Sequence, residues 1–180
     1  MTIANKLTLA RVLVVPVYLI LVSIDFPHHM LVAAVLFALA CITDILDGYF
    51  ARKEGKVTNF GKIFDPIADK VLVLSALLPL TVAGRIPFWL TLILETRELL
   101  ISAIRIQAAS CGKQVIAASV LGKWKTTLQD IAIVMMLLEE ELPFLFDWYL
   151  SNIVLGAAVL MTLWSLGDYF WKNRQIFRET

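Results

Sequence analysis

Asp44, Asp47, Asp65 and Asp69 are the side chains of this sequence best suited to chemistry. Each pair is spaced three or four residues apart, which sets both carboxylates on one face of a helix. Gly55 and Gly61 lie between the pairs, and a turn there lets two helices run antiparallel and bring all four carboxylates to one point. Four like charges so gathered need a counter-charge. Two divalent cations supply it, and hard ions such as Mg²⁺ or Mn²⁺ prefer oxygen ligands. Two metal ions roughly 3.5–4 Å apart can clamp a phosphate and stabilise its attacking and leaving oxygens together. Gly48 and Ala51 extend the Asp44–Asp47 face by a turn and leave room for a bulky ligand, although small residues equally serve close helix packing. Arg52 offers a planar donor fork to a phosphate.

A structural reading competes for the second pair. Asp65 before Pro66 has the form of a helix N-cap with proline at the first helical position, and Asp69 would then sit in the positive first turn. The first pair resists that reading, because it falls near the C-terminal end of its helix, where negative charge opposes the dipole. Further along, Glu95, Arg97, Glu98 and Arg105 lie inside an apolar run, and Lys123 and Lys125 enter the next one. These cations either pair internally with the glutamates or form a pocket for a substrate that carries its own phosphate. Lys113 reads most simply as a topology residue. The only histidines, His28 and His29, fall in a loop, so no Ser-His or Cys-His pair competes as a nucleophilic centre.

The elements that position these residues follow from hydropathy. The chain of 180 residues is 59% hydrophobic and only 17% charged, with a mean hydropathy of +0.80, which points to a membrane protein. Apolar runs at 7–24, 30–49, 66–83, 88–109, 122–138 and 142–166 predict six transmembrane helices in a single domain spanning 1–180. No small-residue cleavage site follows Val22 and Ser23, so the first span is expected to be retained. Most of the 16 Lys and Arg residues sit in the loops near 51–64 and 110–125 and at the termini. The positive-inside rule therefore predicts cytoplasmic termini. The third and fifth spans are polar at their cytoplasmic ends, and polar residues at membrane depth are tolerated where they line a water-filled cavity. The expected fold is thus an all-α integral membrane protein of six helices with a polar cavity facing the cytoplasm. A net charge of +1 without a basic stripe argues against nucleic acid as a partner, and Cys41 and Cys111 read as free thiols.

The pattern Asp44-x2-Asp47-Gly48-x2-Ala51-Arg52-x8-Gly61-x3-Asp65-x3-Asp69 resembles, at every fixed position, the signature of the CDP-alcohol phosphatidyltransferase family. Chance would produce it on the order of 10⁻¹⁰ times per starting residue. The resemblance implies transfer of a phosphatidyl group from a CDP-linked lipid to an alcohol, with release of CMP, by a six-helix homodimer of a prokaryotic-type cytoplasmic membrane. It further implies that Asp44, Asp47, Asp65 and Asp69 bind two metal ions, that Asp69 takes the proton of the acceptor hydroxyl, and that Gly48, Ala51, Arg52 and Gly61 contact the CDP moiety. Residues 5–17 and 95–129 resemble the branch that makes phosphatidylglycerophosphate, with Thr96 where that branch commonly has alanine. That likeness implies CDP-diacylglycerol as donor and sn-glycerol 3-phosphate as acceptor, with Arg97, Arg105, Lys123 and Lys125 near the acceptor phosphate. Asn5, Thr8 and Arg11 are candidates for lining the cavity, although helix capping and topology explain them too. Cardiolipin and phosphatidylinositol-phosphate synthases share the motif, and a divalent-cation channel or carrier is a more remote alternative.

Overall fold

Helix is the form these apolar runs must take in lipid, because it satisfies every backbone N–H and C=O within one segment. The computed structural model describes residues 3–54, 59–110, 120–139, 141–145 and 147–172, with the side chains of 3–8, 46–54, 59–66, 105–110, 120, 121, 123, 170 and 172 left aside. The helices are α1 (Ile3–Ser23), α2 (His29–Glu54), α3 (Asn59–Val82), α4 (Phe88–Ser110), α5 (Val120–Leu138) and α6 (Trp148–Lys172). Among the described residues there is no strand.

Several helices extend a few residues beyond the hydropathy reading, and the starts of α3 and α6 differ from it for local reasons. α3 starts at Asn59, so Asp65 and Pro66 lie inside it rather than at its cap. α6 starts at Trp148 rather than at 142. Pro143 has no N–H and turns the preceding residue away from helix. Leu142 N–H closes back on Leu138 C=O (2.8 Å), and Leu145 N–H on Leu142 C=O (3.0 Å), which forms a turn. The helix resumes when Ser151 N–H and Oγ both donate to Asp147 C=O, at 3.2 and 3.3 Å.

The α3–α4 turn is a Schellman motif. Arg85 N–H donates to Leu80 C=O (2.9 Å) and Gly84 N–H to Thr81 C=O (3.0 Å), with Gly84 at φ +73°. That left-handed conformation favours glycine, and Pro87 then prevents the helix from continuing. Nearby, Arg85 pairs with Glu139, and His28 Nδ1 lies 2.7 Å from Glu141 Oε2, so the first loop is tied to the last.

Neighbouring helices form a closed ring in the order α1, α2, α5, α6, α4, α3, with α3 also meeting α2 and α5 across it. Tyr18, Phe37, Leu72, Leu94, Ile133 and Leu155 fill the core. The surface is unusually apolar, with Leu13, Ile20, Leu39, Leu92, Ile153 and Leu160 exposed on four helices. Arg11, Arg97, Lys125, Gln129 and Glu139 are buried instead. That distribution inverts the soluble pattern. Among the described residues, one helix is long and apolar enough to cross a membrane by itself: Trp148–Tyr169, with mean hydropathy 1.7. Shorter apolar segments occupy Leu9–Ser23 and His29–Ile45. The remaining helices fall short because they carry the charged residues that meet inside the ring.

Candidate active site

One end of the ring gathers the carboxylates Asp44, Asp69 and Asp130. It comprises the first half of α1, the second half of α2, the first half of α3 and the middle of α4 and α5. Asp44 of α2 accepts from Arg11 of α1, with Nη1 to Oδ1 at 2.8 Å, and Arg11 is almost wholly buried. Asp69, on α3, lies within electrostatic reach of Asp44, Lys70, Arg11 and Glu98. Asp130 enters from α5 and feels Asp69, Asp44, Lys125 and Glu98. Three helices thus bring three carboxylates to one polar centre.

Beside it lies a cationic knot. Glu98 of α4 accepts from Lys125 Nζ of α5 and from Arg97 Nη1 (2.7 Å), and Lys70 Nζ stands 3.7 Å from its other oxygen. Arg97 Nη2 also donates to Ser165 Oγ on α6. Arg97 and Lys125, the two described cations expected near an acceptor phosphate, therefore converge on one glutamate. The internal pairing that the sequence also allowed is present. Lys125 has no exposed side-chain surface, so it requires such a partner in the absence of substrate.

Two cavities adjoin the centre. A small one of about 20 Å³ between α3, α4 and α5 is lined by Asp69, Lys70, Glu95, Glu98, Lys125 and Asp130, with Gln129 among its further walls. An apolar one of about 410 Å³ lies between α2 and α5, lined by Ala38, Cys41, Ile42, Ile45, Val134 and Met135, and Asp130 forms its polar edge. A third, of about 460 Å³, sits at the far end of the ring among Leu19, Leu78, Met136 and Arg85, remote from the carboxylates and from the cationic knot.

The side chains of Asp47, Gly48, Ala51, Arg52, Gly61, Asp65, Arg105, Lys123, Asn5 and Thr8 lie outside the described residues. Among the described residues, no group of three or more His, Cys, Asp or Glu side chains stands close enough to hold a metal ion. The donor chemistry nevertheless fits a hard divalent cation. Asp44 and Asp69 offer only carboxylate oxygens, and each lies within electrostatic reach of the other. Asp130, Lys70 and Gln129 were not singled out by the sequence reading. Asp130 had a legible signal, since an aspartate inside an apolar run has to face the interior of a bundle. Gln129 follows Lys125 by four residues, on the same helix face.

Such a centre, with neighbouring carboxylates, clustered cations and an apolar groove alongside, suits a substrate that joins phosphates to a lipid tail. Residues 1–164 match the profile of the CDP-alcohol phosphatidyltransferase family. The chain belongs to that family. It is therefore a phosphatidyltransferase, of a membrane-associated family that uses divalent metal ions. Several relatives are similar over most of their length. The CDP-diacylglycerol–glycerol-3-phosphate 3-phosphatidyltransferase of Bacillus subtilis (strain 168) is 39% identical over 189 aligned residues, covering 98% of this chain and 97% of the relative. Proteins of the same name from Haemophilus influenzae and Salmonella typhimurium are each 37% identical, covering 91% and 93% of this phosphatidyltransferase and 88% and 92% of themselves.

Proposed function

We propose that this phosphatidyltransferase joins CDP-diacylglycerol to sn-glycerol 3-phosphate, giving phosphatidylglycerophosphate and CMP. The observation that carries the reading is the convergence of Lys70, Arg97 and Lys125 on Glu98 beside Asp69. A knot of cations next to the reacting centre suits an acceptor with its own phosphate, and an uncharged alcohol would have no use for it. The names of the relatives support the same donor and acceptor.

In the mechanism, Asp69 accepts the proton of the acceptor's C1 hydroxyl. That oxygen then bonds to the phosphatidyl phosphorus of CDP-diacylglycerol as the bond from the same phosphorus to the CMP oxygen breaks, and CMP leaves with the electron pair. Asp44, Asp47, Asp65 and Asp69 would hold two divalent cations, Mg²⁺ or Mn²⁺, which when bound draw charge off the diphosphate. Gly48, Ala51, Arg52 and Gly61 contact the CDP portion. Lys125 and Arg97, with Arg105 and Lys123, receive the acceptor phosphate. Arg11 holds Asp44 in place, and Asn5 and Thr8 line the cavity along the same helix. The groove between α2 and α5 accommodates apolar parts of the donor.

The exposed apolar belt and buried charge support six spans, with the polar centre and both termini on the cytoplasmic side of the cell membrane. Likeness to the family supports a homodimer. The test is CMP release from CDP-diacylglycerol by the detergent-solubilised enzyme, offered glycerol 3-phosphate, inositol phosphate, serine or phosphatidylglycerol, with Mg²⁺, Mn²⁺ or a chelator. The expected outcome is metal-dependent release with glycerol 3-phosphate. Release only with another acceptor, or release that survives chelation, refutes the reading.

A further inference from the structure

Lys70, Arg97 and Lys125 bring more hydrogen-bond donors to Glu98 than one carboxylate can use. Lys125 Nζ carries three N–H groups and finds, among the described residues, one acceptor, a Glu98 oxygen. Arg97 donates Nη1 to that same oxygen and Nη2 to Ser165, while its Nε is buried with no described partner. Lys70 Nζ stands 3.7 Å from the other oxygen. Buried donors left over in this way suit an anion with more oxygens than a carboxylate, and a phosphate monoester offers three. The adjoining cavity, at about 20 Å³, holds a single water and not a phosphate. Its walls also include Asp69, Glu95 and Asp130, so a phosphate added to the carboxylates already there meets like charge from α3, α4 and α5. An anion therefore enters this place only as another leaves it. Glu98 is the carboxylate whose departure frees both buried cations at once.

We propose that Glu98 is a place-holder for the phosphate of the acceptor. In the empty enzyme its carboxylate occupies the anion position of Lys125 and Arg97. The phosphate of glycerol 3-phosphate takes that position over, and Glu98 turns to Lys70, the most exposed of the three cations. The movement is a side-chain rotation, since Glu98 Oε2 already lies on the Lys70 side. The inference rests on the acceptor assigned above and concerns how the site is kept ready for it. Glu98 is thus a positioning residue: it holds two buried cations in place between turnovers and competes with the acceptor for them. An uncharged alcohol brings no anion to exchange, so the knot stays closed to it.

The experiment measures how tightly the full-length enzyme in detergent binds inorganic phosphate and glycerol 3-phosphate. Affinity is read from the rise of the unfolding midpoint with ligand concentration, against potassium chloride of matched ionic strength. Glu98→Gln removes the competing anion, so both ligands are expected to bind about 10- to 100-fold more tightly than to wild type and to restore part of the stability that the substitution removes. Glu98→Asp keeps the charge on a side chain one methylene shorter. It should shift the same way by less, and it carries the comparison where Glu98→Gln yields no folded protein. Adding Lys125→Met to Glu98→Gln removes the anion position, and phosphate should then bind no better than to wild type. A purely structural counter-ion predicts instead that Glu98→Gln loses the same stability at every phosphate concentration. That result, or variants that bind phosphate no more tightly than wild type, overturns the proposal. CMP release separates the two readings. A wild type inactive with glycerol 3-phosphate refutes the acceptor assignment and this inference with it, whereas an active wild type without the gain in affinity refutes only the exchange at Glu98.

Discussion

Replacing Glu98 by glutamine keeps the shape of the side chain and removes the one charge on which three cations converge. Lys125 has no exposed side-chain surface, Arg97 is 8% exposed and Lys70 17%. Lys70 stands 3.7 Å away and partly in solvent, so its share is that of a surface pair, below about 1 kcal/mol. Lys125 and Arg97 decide the outcome. Removing one partner of a buried ion pair costs about 3–5 kcal/mol, because the remaining charge stays desolvated. Arg97 keeps its bond to Ser165, so most of the cost falls on Lys125. In a chain of this length each kcal/mol moves the unfolding midpoint by about 2–4 °C, so Glu98→Gln should lower it by roughly 6–20 °C. Lys125→Met removes the buried cation while Glu98 keeps Arg97 at 2.7 Å, and should cost only about 1–2 kcal/mol. Adding Lys125→Met to Glu98→Gln should then recover most of the lost stability. Thermal unfolding of the four proteins in one detergent, followed by tryptophan fluorescence, measures the cycle. Simple addition of the two losses, or a Glu98→Gln midpoint equal to wild type, refutes the claim that Glu98 is the counter-ion of a buried lysine.

Two further predictions concern the reaction and the fold. Asp69→Asn should reduce CMP release by at least about 100-fold while unfolding within a few degrees of wild type, because it removes the proton acceptor and retains the side-chain volume; full turnover by this variant would remove Asp69 from the mechanism. Gly84→Ala should cost about 1–2 kcal/mol in denaturant unfolding, since Gly84 sits at φ +73° with nothing within 4 Å of an added Cβ, so that the loss is one of backbone conformation alone.

Much of the fold was legible because hydropathy is a one-dimensional signal. Six apolar runs became six helices, and Asp44 and Asp69, expected at one centre, lie within electrostatic reach of each other. What escaped depended on backbone chemistry or on distant neighbours. The start of α6 was misread because the apolar residues before Trp148 looked continuous, whereas Pro143 imposes a turn among them. The cap suggested by Asp65–Pro66 was a sound local reading that a longer α3 overrode. Arg11 read equally as a cavity-lining residue and as a topology charge, and its pairing with Asp44 of the next helix could not be seen from spacing. Glu98 could be recognised as a counter-ion, but not as the meeting point of Lys70, Arg97 and Lys125, because those residues come from three separate helices. Gln129 and Asp130 have neighbours that no spacing along α5 announces.

Because α5 is seated between α2 and α6 rather than against α4, the ring cannot close in the order in which the chain is synthesised. α1 to α4 emerge first and carry Asp44, Asp69 and Glu98, while Lys125 and Asp130 arrive only with α5. Until then Glu98 lacks its most deeply buried partner, and the side of α2 that receives α5 stays uncovered. The last two helices are thus both wall and counter-charge.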